Sequence, residues 1–144
     1  MSPVPHRTRI KICGLTREED VRAAVAAGAD AIGFVFYPPS PRFVSLERAA
    51  ELARLIPPFV SSVGLFVNPD RAFVREALDK VPLQVLQFHG DEQETDCLGH
   101  GLPYIKAARM RPGLDLLKYA ALFPGAQGLL VDAFVEGYGG GGET

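Results

Sequence analysis

Arg9-Ile10-Lys11-Ile12-Cys13-Gly14 and Ala31-Ile32-Gly33-Phe34-Val35-Phe36, joined by a helix-patterned stretch over 17–27, decide how this chain folds. Both runs are short and almost continuously apolar, the pattern of strands covered on both faces. Thr16 followed three residues later by Glu19 reads as a capping box that opens the intervening helix, and Gly28 reads as its stop. Strand, helix and strand in this order make a β-α-β unit. Its right-handed crossover leaves the two strands parallel.

The same unit recurs outward along the chain. Strands are predicted over 9–13, 31–36, 61–67, 83–88, 103–107 and 127–132, their ends falling at intervals of about 20–30 residues. Ser45 caps a predicted helix that runs to about residue 55 and stops before Pro57-Pro58. Asn68-Pro69 supplies a cap followed by proline at the first helical position, leading into a helix over 70–79. Shorter helical patterns cover 91–97 and 114–122. The fold class is therefore α/β, with a parallel sheet and helices outside it. Two architectures fit: an open doubly wound sheet, or part of an eight-stranded β/α (TIM) barrel. A closed barrel takes about 200–250 residues. With 144 residues, six strands and five helices, the expectation is one domain over 1–144, too short for a closed eight-stranded barrel, and both architectures stay open at this point.

Composition narrows the function. The chain is 47% hydrophobic and 22% charged, with a formal net charge of -2 and acids and bases interleaved. That argues against a nucleic-acid surface, and no run is long enough for a membrane-spanning helix. The opening Met1-Ser2-Pro3-Val4-Pro5-His6-Arg7 has no apolar core of a signal peptide. Cys13 and Cys97 are far apart and form no C-x-x-C pair, so a reducing, cytoplasmic setting is expected. His6, His89 and His100 lack metal-ligand spacing, and no metal is expected.

In either architecture ligands collect at the carboxyl ends of the strands. Cys13 ends the first strand and Asp132 ends the last. Alternation places Lys11 with Cys13 on one strand face, Gln87 with His89 on a second, and Leu130 with Asp132 on a third. Cys13 reads as a thiolate base or nucleophile, or as a small buried hydrophobe. Asp132 reads as a general acid, or as a cap or turn residue. The proline-stiffened loop Tyr37-Pro38-Pro39-Ser40-Pro41-Arg42-Phe43 presents an arginine beside two aromatics. Such an arginine suits a carboxylate or phosphate, or is simply a surface residue in a rigid turn. His89 either orients a substrate or satisfies local backbone groups. Gly137-Tyr138-Gly139-Gly140-Gly141-Gly142 allows close backbone approach to a ligand or serves as a mobile lid, or is a flexible tail.

Taken in order, Lys11-Ile12-Cys13-Gly14-Leu15-Thr16, the run 28–36, Ser40-Pro41-Arg42, the run 63–68, the run 86–92 and Leu130-Val131-Asp132 resemble phosphoribosylanthranilate isomerase. The closing glycine run resembles that family's loop after strand six, so the resemblance implies an incomplete TIM barrel of about six strands and five helices over 1–144, ending in that loop. The resemblance implies an enzyme of tryptophan biosynthesis. Its reaction is the Amadori rearrangement of N-(5-phosphoribosyl)anthranilate to 1-(2-carboxyphenylamino)-1-deoxyribulose 5-phosphate. Asp132 matches the general acid that opens the furanose ring to an iminium. Cys13 matches the general base that takes the sugar C2 proton, and Arg42 matches the group holding the anthranilate carboxylate. The substrate-binding set on this reading is Arg42, His89, Lys11, Gly139 and Gly140. The iminium is the electron sink, so no cofactor is implied.

Members of that family continue through two further strands whose loops hold the substrate phosphate. The resemblance therefore implies a truncated chain, impaired in isolation. A noncatalytic partial barrel that self-associates through open edges is the alternative. Another phosphosugar barrel enzyme, such as an epimerase or indole-glycerol-phosphate synthase, is a third reading. The synthase would need a lysine acid, for which Lys106 is the weak candidate.

Overall fold

The computed structural model describes residues 5–133. Along the chain lie β1 (Lys11–Cys13), α1 (Glu18–Ala26), β2 (Ala31–Val35), α2 (Leu46–Ala53), β3 (Ser61–Phe66) and α3 (Arg71–Lys80). They are followed by β4 (Val85–Phe88), α4 (Glu94–Cys97), β5 (Tyr104–Met110), α5 (Leu116–Ala121) and β6 (Gly128–Ala133). All strand pairs are parallel and the sheet order is β1-β2-β3-β4-β5-β6. A doubly wound sheet reverses direction at a switch point. Here every crossover steps the same way, so the helices fall on one face and the sheet curls around the other. The curl is visible in a single contact. β1 and β4 are three strand spacings apart, about 14 Å in a flat sheet, yet the Lys11 ammonium reaches across the concave side to the Gln87 side chain. The architecture is a curled, six-stranded part of a β/α barrel.

Residues of alternate parity build two different layers. On the convex face Ile32, Phe34, Phe66, Leu86, Phe88 and Tyr104 are buried against Val21, Leu46, Ala49, Leu52, Val74 and Ala77 of the helices. Each of the Val, Leu, Ile and Phe side chains among them contributes about 1.5–3 kcal/mol on leaving water. An aromatic ladder crosses this layer, with ring centroids 5.4 Å apart for Phe36–Phe66, 6.0 Å for Phe66–Phe88 and 5.9 Å for Phe88–Tyr104. The concave face carries Lys11, Cys13, Gln87 and Asp132.

Helix caps differ from expectation in two places, and the helices expected over 91–97 and 114–122 are shorter, beginning at Glu94 and Leu116. The capping box at Thr16 does not form. Arg17 is the N-cap of α1 without a side-chain bond, and Glu18, Glu19 and Asp20 instead set negative charge against the helix dipole. Before α3, the cap is Asp70 rather than Asn68: Asp70 Oδ1 accepts from Phe73 N at 2.7 Å. Asn68 adopts φ 46, and its Oδ1 accepts from Asp91 N at 2.7 Å, tying two loops together. Ser45 caps α2 as expected, accepting from Arg48 N at 3.1 Å. β5 runs beyond residue 107 because Ala108, Arg109 and Met110 pair with Val131, Asp132 and Ala133. No helix among the described residues is long and apolar enough to cross a membrane.

Candidate active site

Strand parity turns Lys11 and Cys13 of β1, Gln87 of β4 and Asp132 of β6 to the concave side, where they line one cavity of about 260 Å³. His89, immediately after β4, joins them, and Val35, Leu65 and Leu130 supply an apolar wall. The first and last strands thus deliver the thiol and the carboxyl group to a single opening, as the sequence predicted. Close approach at Cys13 depends on its neighbour. Gly33 sits opposite it in register, and a Cβ on Gly33 would lie 2.8 Å from Cys13 Sγ.

The loop after β2 closes one side. Ser40 Oγ accepts from Arg42 N at 3.1 Å, and Val44 N donates to Val35 O at 3.0 Å, which folds the proline-rich segment back on the sheet. Arg42 is seated over the end of β1, its Nη1 donating to Cys13 O at 3.0 Å. The seat requires Gly14, which has φ 83 and whose added Cβ would fall 2.6 Å from that nitrogen. Tyr37 and Ser40 line the cavity with Arg42, whereas Phe43 does not, so one of the two expected aromatics joins the site.

The cavity is also lined by a polar chain, buried at Gln87 and His89 and half-buried at its ends, Lys11 and Asp132. Lys11 Nζ donates to Gln87 Oε1, Gln87 Nε2 lies 3.1 Å from His89 Nδ1, and His89 Nε2 lies 2.9 Å from Asp132 Oδ2. Burial pushes the His89 pKa below its ordinary value; the Asp132 carboxylate opposes that shift, and the Lys11 and Lys106 cations reinforce it. The ring is neutral near pH 7. Arranged this way, the cavity offers a thiol, a carboxyl group and a guanidinium around a space with one apolar wall. Acid–base work on a small ligand carrying an anionic group suits that set.

Sequence reasoning placed Gln87 on the strand face of His89 but gave it no role in the site. Gln87 carried a signal: it is an amide inside an apolar strand, on the face of His89, and it is 1% exposed. Gly139 and Gly140, expected at the substrate, lie outside the described residues. Lys106 is corrected as a candidate acid. Fully buried on the convex face, it donates to Gly90 O at 2.9 Å, pairs with Glu92 at 3.2 Å and stands 5.2 Å from the Phe123 ring centroid. Burial, followed by the nearby Glu92 charge, pushes the Cys97 thiol up to about 12, which suits an inert core residue. Among the described residues no group of three or more His, Cys, Asp or Glu side chains is placed to hold a metal ion.

The sequence profile of N-(5′-phosphoribosyl)anthranilate (PRA) isomerase matches residues 10–144. The N-(5′-phosphoribosyl)anthranilate isomerase of Dechloromonas aromatica is 69% identical over 138 residues, covering 96% of this chain and 66% of that protein. Among solved structures, phosphoribosyl anthranilate isomerase from Thermotoga maritima superposes with a TM-score of 0.83 at 37% identity, covering 96% of this chain and 67% of that one. A second, phosphoribosyl anthranilate isomerase in complex with reduced 1-(o-carboxyphenylamino)-1-deoxyribulose 5-phosphate, gives 0.80 at 36% identity, covering 89% of this chain and 66% of that one. The chain spans just under two thirds of the length of its close sequence relatives.

Proposed function

Because the chain belongs to the N-(5′-phosphoribosyl)anthranilate isomerase family, we propose that its cavity performs the Amadori rearrangement of N-(5′-phosphoribosyl)anthranilate within tryptophan biosynthesis. One observation carries the reading: Cys13 and Asp132, contributed by the outermost strands of the described sheet, line the same cavity together with Arg42. Asp132 gives its proton to the furanose ring oxygen as the bond from that oxygen to C1 breaks. The anilino nitrogen lone pair moves into a C1=N iminium. Cys13, as the thiolate, takes the proton from C2, and the C–H electron pair becomes the C1=C2 bond of an enolamine. Tautomerisation of this enolamine yields the 2-keto product. Arg42, held by the Cys13 carbonyl and Gly14, stands beside the base, where its remaining N–H groups suit the anthranilate carboxylate.

General acid and base contributions of this kind are worth roughly 10²–10⁴-fold each. Asp132→Asn and Cys13→Ser are each expected to lower kcat for PRA by that order, and Arg42→Ala to raise KM more than it lowers kcat. Turnover of PRA that survives both acid and base substitutions would sink the assignment.

A further inference from the structure

Lys11 has no freedom about its hydrogen-bond role, and it dictates those of the side chains that follow it in the chain to Asp132. A lysine ammonium has donors and no acceptor. Lys11 Nζ faces the Gln87 side chain, so the amide oxygen must be the atom turned towards it. The amide NH₂ is then the atom 3.1 Å from His89 Nδ1, and Nδ1 must accept. A neutral imidazole that accepts at Nδ1 carries its proton on Nε2. That nitrogen lies 2.9 Å from Asp132 Oδ2 and donates to it. Burial of Gln87 at 1% and His89 at 4% exposure keeps water from substituting for either partner. The depressed His89 pKa supports the neutral ring.

We infer that Lys11, Gln87 and His89 form a relay that sets the Nε2–H tautomer of His89 and so holds one carboxyl oxygen of Asp132. All three are then positioning residues for the acid rather than contacts to the substrate. The Asp132 part rests on the isomerase reading above. With Oδ2 occupied, Oδ1 is the oxygen available to a ligand, and the acid meets the ring oxygen in one orientation. This reassigns Lys11 and His89, which the sequence placed among substrate-binding residues. A cation on β1 acts on a carboxylate of β6 through two side chains presented by β4 and the residue after it.

Nitrogen-15 NMR of the ligand-free chain, labelled at histidine, reads the tautomer directly, and His89→Asn identifies the His89 signals by their loss. The expected wild-type pattern is a protonated Nε2 and an unprotonated Nδ1. Gln87→Glu places an acceptor against Nδ1, so Nδ1 becomes protonated. A wild-type ring protonated on Nδ1, or a Gln87→Glu ring unchanged from wild type, would overturn the relay. In turnover, Lys11→Met and Gln87→Glu should each lower kcat roughly 10–100-fold, as outer-shell partners do, with KM within about threefold. Lys11→Arg, which keeps the donor, should restore much of the loss. A rise in KM at unchanged kcat for Lys11→Met would make Lys11 a substrate contact and refute its positioning role. The tautomer measurement needs no substrate, so failure of wild-type turnover would count against the isomerase reading while the NMR pattern still decides the relay.

Discussion

Gly33 sets how closely β2 can pass the thiol of Cys13. A methyl group there would sit 2.8 Å from Sγ and 3.3 Å from the Cys13 Cα, so the thiol and its strand must both give way. Gly33→Ala is expected to cost about 1–3 kcal/mol in urea unfolding, as overpacking does. Its effect on turnover should be larger, roughly 10²-fold, because a displacement of ~1 Å misaligns a base. A variant with normal kcat would show that the contact has no functional weight. His89 supplies a second test at this scale. Its folded pKa lies below its unfolded value, so in the intervening range the unfolded chain binds more protons and stability rises with pH. The contribution is complete above about pH 6.5 and is lost as pH falls through the folded value. Urea unfolding at about pH 7.5 and 5.5 should therefore show a decline that His89→Asn flattens. Asp30, held low by the Arg7 guanidinium, acts only below about pH 4 and leaves that window clear. Equal declines in both proteins would contradict the argument.

Helix ends show where local signals stop being decisive. Thr16, Ser45, Asn68 and Asp70 are all acceptable caps by residue type, yet only Ser45 and Asp70 accept the helical N–H. Asn68 is drawn away by Asp91 N, a partner from the next loop. Asp70→Ala should lower stability by about 1 kcal/mol, measured by urea unfolding, and the same change at Thr16 should do far less. Glu92 and Lys106 join the elements on the convex side. Glu92 accepts from Gly90 N at 2.9 Å and Asn68 N at 2.8 Å, and it pairs with a lysine that has no exposure. Removing one member of a buried pair costs about 3–5 kcal/mol. Lys106→Met is expected to show that loss, and Lys106→Met with Glu92→Gln to regain part of it. A double variant that adds both single losses in full would show that the charges are uncoupled.

Over the whole molecule, stability should grade outward from the centre of the sheet. β3 is buried along nearly its entire length between two partner strands, whereas Val131 of β6 is 55% and Ile12 of β1 37% exposed. Local opening follows buried apolar contact. Hydrogen exchange of the chain is therefore expected to be slowest in β2, β3 and β4 and faster in β1 and β6. Equal protection across all six strands would contradict that grading. Sequential strand order is also what makes the cavity possible. Curling in one direction brings β1 and β6 to the same opening, and the exchange gradient and the acid–base pair are two consequences of that geometry.

Local sequence was enough for six strands, five helices, their parallel sense and, strand by strand, the pairs that share a face: Lys11 with Cys13, Gln87 with His89, and Leu130 with Asp132. Those features follow from apolar runs, two-residue alternation and breaker residues, all of which act within a few positions along the chain. A family resemblance supplied the roles proposed for Cys13, Asp132 and Arg42. Only the tertiary structure decided between a curled and a doubly wound sheet, moved the cap of α3 to Asp70, turned Lys106 away from the cavity and joined Lys11 to Asp132 through Gln87 and His89. Such outcomes depend on groups as far apart in sequence as Lys11 and Gln87, 76 residues, meeting in space. No local pattern encodes the direction in which five successive crossovers accumulate.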